Sequence, residues 1–367
     1  MSEAKPPFHA DHVGSLLRPA ALKQARERAA RGEIDRAALR RVEDESIRAA
    51  VELQESAGLS SITDGEFRRD WWHIDFLRGF DGVDTTSGSF GVKFEGADEQ
   101  PPLMRVTGRI RRSRPNMVEH FRYLASVTRR TPKFCLPSPA MLHARGDRAA
   151  LLATYPDMAE FWADLTAAYR DEIRALIDAG CRYLQIDDTT IAMMADPKVR
   201  DQFRALGDDP DRLQATYADA VNAAIRDVPD DVTVAIHTCR GNFKSTWLAS
   251  GGYEAVAERV FNRLDVDAWF LEDDSERAGG FEPLRFMPKG KKVVLGLVSS
   301  KFPELEGKDD LKRRIAAAAQ YVPLDNLCLS PQCGFSSTHH GNKLTEDDER
   351  RKLGLVLEVA REVWGTA

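Results

Sequence analysis

The sequence predicts an α/β protein with the fold of a (β/α)8 barrel, the TIM barrel. Eight short runs of β-forming residues are spread along the 367-residue chain, and most of them are followed by a helical pattern. Several of these runs are continuously apolar, as strands of a parallel sheet are when both faces are buried. Eight β/α units in a chain of this length are typical of that barrel. We expect one catalytic domain over residues 1–367, with an insertion at about 79–110.

The predicted strands and helices alternate in the order that a barrel requires. The strands lie near His9–Gly14, Ser60–Thr63, Lys133–Leu136, Tyr183–Ile186, Thr233–Ile236, Ala268–Leu271, Lys292–Leu297 and Asn326–Leu329. The strongest helical patterns are Asp35–Ser56, Met158–Ala179, Asp209–Arg226, Tyr253–Asn262, Lys308–Tyr321 and Thr345–Trp364. Gly180 suits the position after a helix end, and Thr345, with acidic residues behind it, suits a helix start.

The segment Gly79–Val106 departs from this alternation. It is rich in Gly, Thr, Ser and Pro, and apolar residues alternate in Phe90–Phe94. These features predict an inserted hairpin or lid after the second unit. A run of arginines follows, and such runs are mostly solvated loops, with binding of an anionic substrate tail as the alternative. Its members are Arg105, Arg109, Arg111, Arg112 and Arg114.

Composition excludes several classes of protein. The chain is 43% hydrophobic and 30% charged, which is ordinary for a globular protein. Its formal net charge of −6 gives no sign of nucleic-acid binding. There is no apolar run of membrane-spanning length and no signal peptide. Five scattered cysteines argue against a disulfide framework. We therefore expect a cytoplasmic protein without a nucleic-acid or membrane partner; a homo-oligomer is compatible with this composition.

Polar residues follow almost every predicted strand. Because the carboxyl ends of parallel strands meet at one end of a barrel, where catalytic residues are assembled, we expect these side chains to lie together. The residues that follow the strands include Ser15, Glu66, Ser138, Asp187, His237, Cys239, Glu272, Lys301 and Cys333.

Four of these residues predict a zinc site. A histidine, two cysteines and a glutamate offer the N, S and O donors that zinc binds, and His237 and Cys239 are two residues apart, so both point to one side of an extended segment. Glu272 and Cys333 arrive from other strands. Cysteine is also commonly a small buried hydrophobe. We expect that simpler role for the cysteines inside or beside apolar runs, which are Cys135, Cys181 and Cys328.

These motifs, in this order, resemble the catalytic C-terminal barrel of cobalamin-independent methionine synthase over nearly the whole chain. The matching residues are Val13-Gly14-Ser15, Asp64-Gly65-Glu66, Leu184-Gln185-Ile186-Asp187, His237-Thr238-Cys239, Glu272 and Pro331-Gln332-Cys333-Gly334. The resemblance implies a zinc-dependent methyltransferase of methionine biosynthesis. Such an enzyme activates homocysteine as a zinc-bound thiolate, and its methyl donor is 5-methyltetrahydrofolate.

The same resemblance implies roles for individual residues. Two carboxylates suit the ammonium group of an amino acid, and a hydroxyl with backbone N–H groups suits its carboxylate. A lysine can donate a proton, efficiently only when its pKa is depressed. The implied roles are zinc binding by His237, Cys239, Glu272 and Cys333, amino-acid binding by Ser15, Glu66 and Asp187, and catalysis by Asp187 and by Lys301 at the position of a proton-donating histidine.

The methyl-donor side departs from the family pattern. Arg145 occupies the position of a tryptophan that packs against folate, and Trp71, Trp72 and Trp247 are the candidate substitutes. The chain also has no room for the N-terminal half of the full-length enzyme, which helps to hold the polyglutamate tail. We therefore expect poor use of free methyltetrahydrofolate.

Two alternatives remain open. One is a zinc enzyme that alkylates another thiol and resembles epoxyalkane:coenzyme M transferase. Coenzyme M carries a sulfonate and no ammonium, so Glu66 and Asp187 would be misplaced for it. The other is a non-enzymatic, zinc-stabilised barrel or thiol sensor, which would not need these carboxylates and Ser15 at the same mouth.

Overall fold

A parallel sheet of seven strands organises the protein, whose computed structural model describes residues 5–88 and 101–367. The strands of the chain are β1 (Ser61–Ile62), β2 (Asp81–Thr86), β3 (Leu103–Arg111), β4 (Thr131–Pro137), β5 (Tyr183–Asp188), β6 (Thr233–Thr238), β7 (Ala268–Glu272), β8 (Lys292–Val298) and β9 (Leu327–Pro331). The order in the large sheet is β1-β4-β5-β6-β7-β8-β9, and every neighbouring pair is parallel. This α/β arrangement is compatible with a TIM-barrel-like fold.

The predicted first strand, near His9–Gly14, is not a regular strand. Ala10 forms an isolated parallel bridge with Leu329 of β9, and the amide of Asp11 donates to the Leu329 carbonyl at 3.0 Å. The next amide, that of His12, instead donates to the Asp11 carboxylate at 2.7 Å. A side chain that captures a backbone amide in this way competes with a sheet ladder. The hydroxyl of Ser61 in β1 donates to the same carboxylate at 2.7 Å, so Asp11 links the two edge strands of the sheet.

The two faces of the sheet are buried in different surroundings. Side chains alternate between faces along each strand. On one face, residues such as Leu184, Ile236 and Leu295 belong to the large core under the helices. On the other face a separate small cluster contains Val13, Tyr183, Ala235, Ala268, Phe270, Val294 and Cys328. Burial on both faces explains the continuous apolar runs in the sequence.

Helices follow the strands. They are α1 (Ala20–Ala30), α2 (Arg36–Ala57), α3 (Ile74–Leu77), α4 (Val118–Val127), α5 (Ala140–Ala144), α6 (Arg148–Thr154), α7 (Met158–Asp178), α8 (Thr190–Met193), α9 (Pro197–Ala205), α10 (Pro210–Ile225), α11 (Glu254–Phe261), α12 (Lys308–Ala318) and α13 (Glu346–Trp364). Thr345 and Asp348 form a capping box at α13, and Gly180 takes a left-handed conformation after α7, as predicted. Within the described ranges, no helix combines the length and apolarity needed to cross a membrane.

The region predicted as an insertion contains a two-stranded antiparallel sheet. Asp84 of β2 pairs with Arg105 of β3, and Thr86 pairs with Leu103. The alternating residues Phe90–Phe94 lie between these strands, in the part of the chain outside the described residues. The prediction of a hairpin or lid at that position therefore stays a prediction.

A buried ion pair lies on the inner face of the sheet. The ammonium of Lys133 is 3.2 Å from the Asp11 carboxylate, and both side chains are fully buried. The same ammonium lies 4.1 Å from the ring centroid of Phe270, and the Tyr183 hydroxyl donates to Asp11 at 2.9 Å. The pair joins the extended segment at residues 9–14 to β4 and β5, so it ties the two edges of the sheet to its middle.

We expect Asp11→Asn to destabilise the fold strongly. The substitution leaves the Lys133 ammonium buried without a counter-charge, a change that typically costs about 3–5 kcal/mol. Urea unfolding followed by circular dichroism measures the free energy. Asp231→Asn is the matched control, because Asp231 pairs with Arg182 at 2.9 Å on the surface and should change stability by less than about 1 kcal/mol. Equal effects of the two substitutions would contradict this role of Asp11.

Candidate functional site

A cavity lies where the parallel strands end. Its walls come mainly from the segment before β1, from the ends of β5 and β6, and from the loops after β1, β4, β5, β6 and β9. The lining residues are Val13, Ser15, Glu66, Trp71, Trp72, His73, Pro101, Arg145, Asp187, Asp188, Thr189, His237, Cys239, Gly241, Asn242, Phe243, Cys333, Gly334, Ser337 and Thr338. Three of the four predicted metal ligands and all three predicted amino-acid-binding residues are among them.

One wall of the cavity brings together a histidine and two thiols. One ligand atom each from His237, Cys239 and Cys333 lies within 4.8 Å of the others, and all three residues are buried. The two sulfur atoms are 3.8 Å apart. Within the described residues, neither ring nitrogen of His237 has a hydrogen-bond partner, which is costly for a buried imidazole. Unpaired nitrogen and closely spaced sulfur are the features that a bound metal ion would satisfy.

The electrostatics of this group favour one thiolate. Contact with Cys239 lowers the pKa of Cys333 well below its ordinary value, against the opposing effect of burial. The same contact, and then burial, raises the pKa of Cys239 well above its ordinary value. Burial alone would lower the pKa of His237, but contact with Cys333 and the charges of Asp187 and Glu272 raise it. Of the two thiols, Cys333 therefore gives up its proton more readily, and a cation bound between the sulfurs would favour loss of both protons.

Glu272, the fourth predicted ligand, lies outside this group of three. It is fully buried, and one carboxylate oxygen lies 2.6 Å from the guanidinium of Arg277 and 3.5 Å from the ammonium of Lys301. The other oxygen accepts a hydrogen bond from the amide of Arg240. Burial raises the pKa of Glu272, but these three cationic residues outweigh it and bring the pKa to about 2. Glu272 is thus an ionised carboxylate held by cations beside the His–Cys–Cys group.

Lys301 does not line the cavity. Its side chain is buried, and its ammonium has no hydrogen-bond partner in the described part of the chain, although it lies in the ion pair with Glu272. The structure therefore places the Lys301 ammonium beside Glu272, which is itself one of the predicted metal ligands. Its assignment as a proton donor stays a prediction.

A second group of acidic side chains lies in the same cavity. One ligand atom each from Glu66, Cys135 and Asp187 lies within 4.8 Å of the others. Burial raises the pKa of Glu66 to about 7, although Arg69 opposes the shift, and burial raises the pKa of Asp187 to about 6, although His237 opposes it. Among the residues that the structure describes, none donates a hydrogen bond to the second oxygen of Glu66. A cationic ligand would satisfy both carboxylates, and an ammonium group has the required charge and donors.

The loop that carries Glu66 is held in an unusual conformation. Glu66 has φ of 61°, which is rare for a residue other than glycine. The buried guanidinium of Arg18 donates to the Glu66 carbonyl at 3.0 Å and to the Arg69 carbonyl at 2.8 Å. It also donates to the carbonyls of Ser336 at 2.7 Å and Thr338 at 3.2 Å. One arginine therefore fixes two cavity loops relative to each other.

Ser15 sits close to the backbone beyond Cys333. A Cβ atom on Gly334 would lie 1.9 Å from the Ser15 hydroxyl oxygen, so only glycine allows this approach. The amide of Phe335 donates to the Ser15 carbonyl at 2.9 Å. The predicted amino-acid-binding hydroxyl is thus placed beside a predicted metal ligand.

The remaining wall is aromatic and was only partly foreseen from the sequence. Trp71 and Trp72 line the cavity, whereas Trp247 does not and lies instead 5.0 Å from the guanidinium of Arg277. The ring of Phe243 packs on Trp71 with centroids 5.8 Å apart. Neither Phe243 nor His73 could be recognised in the sequence, since both lie in loops without a motif.

The arginine run after the predicted insertion lies away from the cavity. Arg109 contacts Glu160 and lies 2.8 Å from Asp164, and Arg112 pairs with the buried Glu172 at 2.5 Å. All three acidic partners belong to α7. These pairs anchor the end of β3 and the residue that follows it to α7, which gives these two arginines a structural role.

Comparison with known proteins yields a match to one family. The family model for the catalytic domain of cobalamin-independent synthase matches residues 8–361. The protein YxjH of Bacillus subtilis (strain 168) is 47% identical over 364 residues, which cover 99% of this chain and 96% of the relative. A solved structure from Listeria monocytogenes, assigned by name to the vitamin-B12 independent methionine synthases, is 38% identical and superposes with a TM-score of 0.77. It covers 99% of this chain and 100% of that chain.

A more distant relative carries a specific activity in its name. The 5-methyltetrahydropteroyltriglutamate--homocysteine methyltransferase of Rhodococcus jostii (strain RHA1) is 26% identical over 326 residues. The match covers 89% of this chain and 40% of that relative.

We expect Cys333 to be the most reactive thiol of the metal-free protein. Contact with Cys239 lowers its pKa, which favours the thiolate, and it lines the cavity, whereas burial raises the pKa values of Cys135, Cys181 and Cys328. Thiolates are the nucleophilic form. After chelator treatment, iodoacetamide labelling at pH 6.5 followed by peptide mass spectrometry should modify Cys333 first. Faster labelling of any of the three cysteines outside the cavity would contradict the lowered pKa of Cys333.

Proposed function

Because this chain belongs to the family of the cobalamin-independent synthase catalytic domain, we propose that it is a zinc-dependent methyltransferase acting on homocysteine. The observation that carries the proposal is the presence, in one cavity, of a His–Cys–Cys group and a pair of buried carboxylates. The first suits a thiol-binding metal ion and the second suits an ammonium group. An α-amino acid with a thiol satisfies both.

The residues present fit zinc. Nitrogen and two sulfurs are donors that zinc binds, and a catalytic zinc site has three protein ligands and an open position. We propose His237, Cys239 and Cys333 as the permanent ligands. We propose Glu272 as the exchangeable fourth ligand, because neighbouring cations would stabilise its carboxylate after it leaves the metal. Bound zinc would supply a Lewis acid that keeps a coordinated thiol deprotonated at neutral pH.

The acidic pair would orient the amino acid. In this proposal Glu66 and Asp187 accept hydrogen bonds from the substrate ammonium, and Ser15 binds its carboxylate. Gln185 donates to Asp187 at 2.6 Å, and Arg69 lies 3.4 Å from Glu66, so both carboxylates are themselves held in place. The substrate is thereby held at its ammonium and at its carboxylate, with its sulfur directed towards the thiol wall, which is the part of the cavity formed by His237, Cys239 and Cys333.

Methyl transfer would proceed as a direct displacement. The substrate sulfur forms a bond to the methyl carbon while the bond between that carbon and the donor breaks, and the donor atom keeps the electron pair. We propose Lys301 as the source of the proton that neutralises the departing donor. Its ammonium, 3.5 Å from Glu272, could reach the cavity when that carboxylate moves.

The family resemblance implies 5-methyltetrahydrofolate as the methyl donor. We predict that this enzyme uses the free monoglutamate form of that donor poorly. Arg145 lines the cavity, its guanidinium carbon 5.9 Å from the ring centroid of Trp72. A buried charge at this position competes with a flat ring for the same aromatic face.

We expect the protein to bind about one zinc ion per chain and to lose it when either cavity cysteine is replaced. Cys239→Ser and Cys333→Ser each remove a thiolate ligand, and elemental analysis after dialysis measures the metal. Cys328→Ser is the matched control, since Cys328 is buried in the inner cluster away from the cavity. Full zinc occupancy in both cavity variants would refute the ligand assignment.

We expect Asp187→Asn to weaken homocysteine binding by about 1.5–3 kcal/mol, the contribution of a hydrogen bond to a charged group. Isothermal titration calorimetry on the zinc-loaded protein measures the free energy of homocysteine binding. Binding should also weaken as the pH falls through about 7 to 6, because Glu66 and Asp187 then become protonated and lose their charge.

A panel of other thiols provides the control for this substrate assignment. Thiols without the amino group should bind weakly to the wild type and should not respond to Asp187→Asn. Preference for a sulfonate thiol, or unchanged affinity for homocysteine in the variant, would contradict an amino-acid substrate.

A further inference from the structure

The group formed by Glu66, Cys135 and Asp187 contains a thiol that the proposed function leaves without a role. One ligand atom from each residue lies within 4.8 Å of the others, and all three residues are buried. In the proposed function the two carboxylates bind the substrate ammonium, whereas Cys135 only packs. One sulfur and two carboxylate oxygens at this spacing are, however, a donor set that a divalent metal ion can bind.

The backbone brings these three side chains together. Cys135 lies in β4, two residues before Pro137, whose register partner in β5 is Asp187. Side chains two residues apart in a strand point to the same face, so Cys135 and Asp187 lie on one side of the sheet. Glu66 comes from the loop after β1, where the Arg18 guanidinium holds its carbonyl at 3.0 Å. The positions of the three groups therefore follow from strand register and loop anchoring.

Hydrogen-bond acceptors outnumber donors around this group. In the described part of the chain, no donor reaches the second oxygen of Glu66 or the amide oxygen of Gln185, and both atoms are buried. The amide nitrogen of Gln185 donates to Asp187 at 2.6 Å and to the Val13 carbonyl at 2.7 Å. The Cys135 thiol donates to the same carbonyl at 3.3 Å. Buried acceptors without donors, beside two carboxylates, favour a cation over a neutral ligand.

We propose that Glu66, Cys135 and Asp187 form a second metal site, which takes a borderline-soft divalent ion such as zinc or cobalt(II). The sulfur selects these ions against magnesium and calcium, which prefer surroundings of oxygen alone. Binding replaces the thiol proton: the sulfur–hydrogen bond breaks, the sulfur gives its electron pair to the metal, and the proton goes to solvent. The ion reaches the site through the cavity, which Glu66 and Asp187 both line.

The second ion should bind more weakly than an ion held by the thiol wall. The guanidinium of Arg69 lies 3.4 Å from Glu66 and already supplies part of the positive charge that this carboxylate needs. The second group also offers one sulfur, whereas the thiol wall offers two sulfurs and an imidazole nitrogen. Zinc should therefore occupy the thiol wall first and the second site only when it is in excess.

The second ion and an amino acid exclude each other, because both need Glu66 and Asp187. This consequence rests on the proposed function, in which these carboxylates accept hydrogen bonds from the substrate ammonium. The metal site itself rests on the geometry of the three side chains. Excess metal would therefore act as an inhibitor that competes with the amino acid.

Titration of the zinc-loaded protein with cobalt(II) tests the second site. Cobalt binds such ligands less tightly than zinc does, so it leaves the first ion in place, and a thiolate ligand gives cobalt a charge-transfer absorption band in the near ultraviolet. We expect this band in the wild type. Cys135→Ala should remove the band and weaken cobalt binding by about tenfold or more, since even loss of a group that supports a ligand costs about 10–100-fold.

Cys181→Ala is the matched control, because Cys181 is equally buried but is not one of the residues that line the cavity. Its cobalt affinity and its band should equal those of the wild type. Absence of the band in the wild type at saturating cobalt would overturn the second site, and so would an unchanged band in Cys135→Ala. If Cys135→Ala does not fold, Glu66→Gln decides, and unchanged cobalt affinity in that variant overturns the proposal.

L-Methionine and its analogue without the amino group, 4-(methylthio)butanoate, separate this inference from the proposed function. Methionine carries the ammonium of an amino acid and has no thiol that would chelate cobalt, so it should weaken cobalt binding, whereas the analogue should not. A wild type whose thiol wall holds no zinc would refute the methyltransferase, and the band that depends on Cys135 would still decide the second site. Cobalt binding that methionine leaves unchanged would refute the shared use of the two carboxylates alone.

Discussion

The parallel register of the strands is the constraint on which the site depends. It places Asp187 of β5 beside His237 of β6, and it ends β9 at Pro331, two residues before Cys333. Hydrogen bonds between neighbouring strands therefore decide which side chains meet at the edge of the sheet, whatever their separation in the sequence. A shift of one residue in any pair would turn the chemical groups to the opposite face. The buried ion pair of Lys133 and Asp11, on the inner face of the sheet, stabilises this arrangement of strands.

The buried carboxylates in and beside the cavity have two kinds of electrostatic surroundings. Glu66 and Asp187 are buried together, and burial raises the pKa values of both. A cationic group bound between them would stabilise their ionised forms. Glu272 is equally buried but is surrounded by Arg240, Arg277 and Lys301, which keep it ionised. Burial is similar in the two cases, and the difference lies in the neighbouring charges. Such opposed environments for carboxylates are typical of sites that bind and transform a polar substrate.

Sequence reasoning located most of the site because its signals were local. The spacing of His237 and Cys239, and the position of Cys333 beyond a strand end, are such signals, and the structure brings the three side chains together. Their role as metal ligands stays a prediction. The surroundings of Glu272 could not be predicted, since the ammonium of Lys301 meets it only after folding. The segment His9–Gly14 is predicted as a strand but forms only an isolated bridge, because the Asp11 carboxylate accepts a hydrogen bond from the following amide, and the sequence pattern does not show this contact. His73 lies just before the short helix α3, and nothing in its sequence marks it as a cavity residue.

Zinc K-edge X-ray absorption spectroscopy, recorded without and with homocysteine, tests the central claim most directly. The proposed site predicts two sulfur ligands before substrate is added, from Cys239 and Cys333, with the remaining ligands nitrogen or oxygen. Homocysteine should add one sulfur at about 2.3 Å and remove one oxygen ligand, as Glu272 leaves. An unchanged number of sulfur ligands in the presence of saturating homocysteine would contradict direct binding of the substrate thiol and, with it, the proposed chemistry.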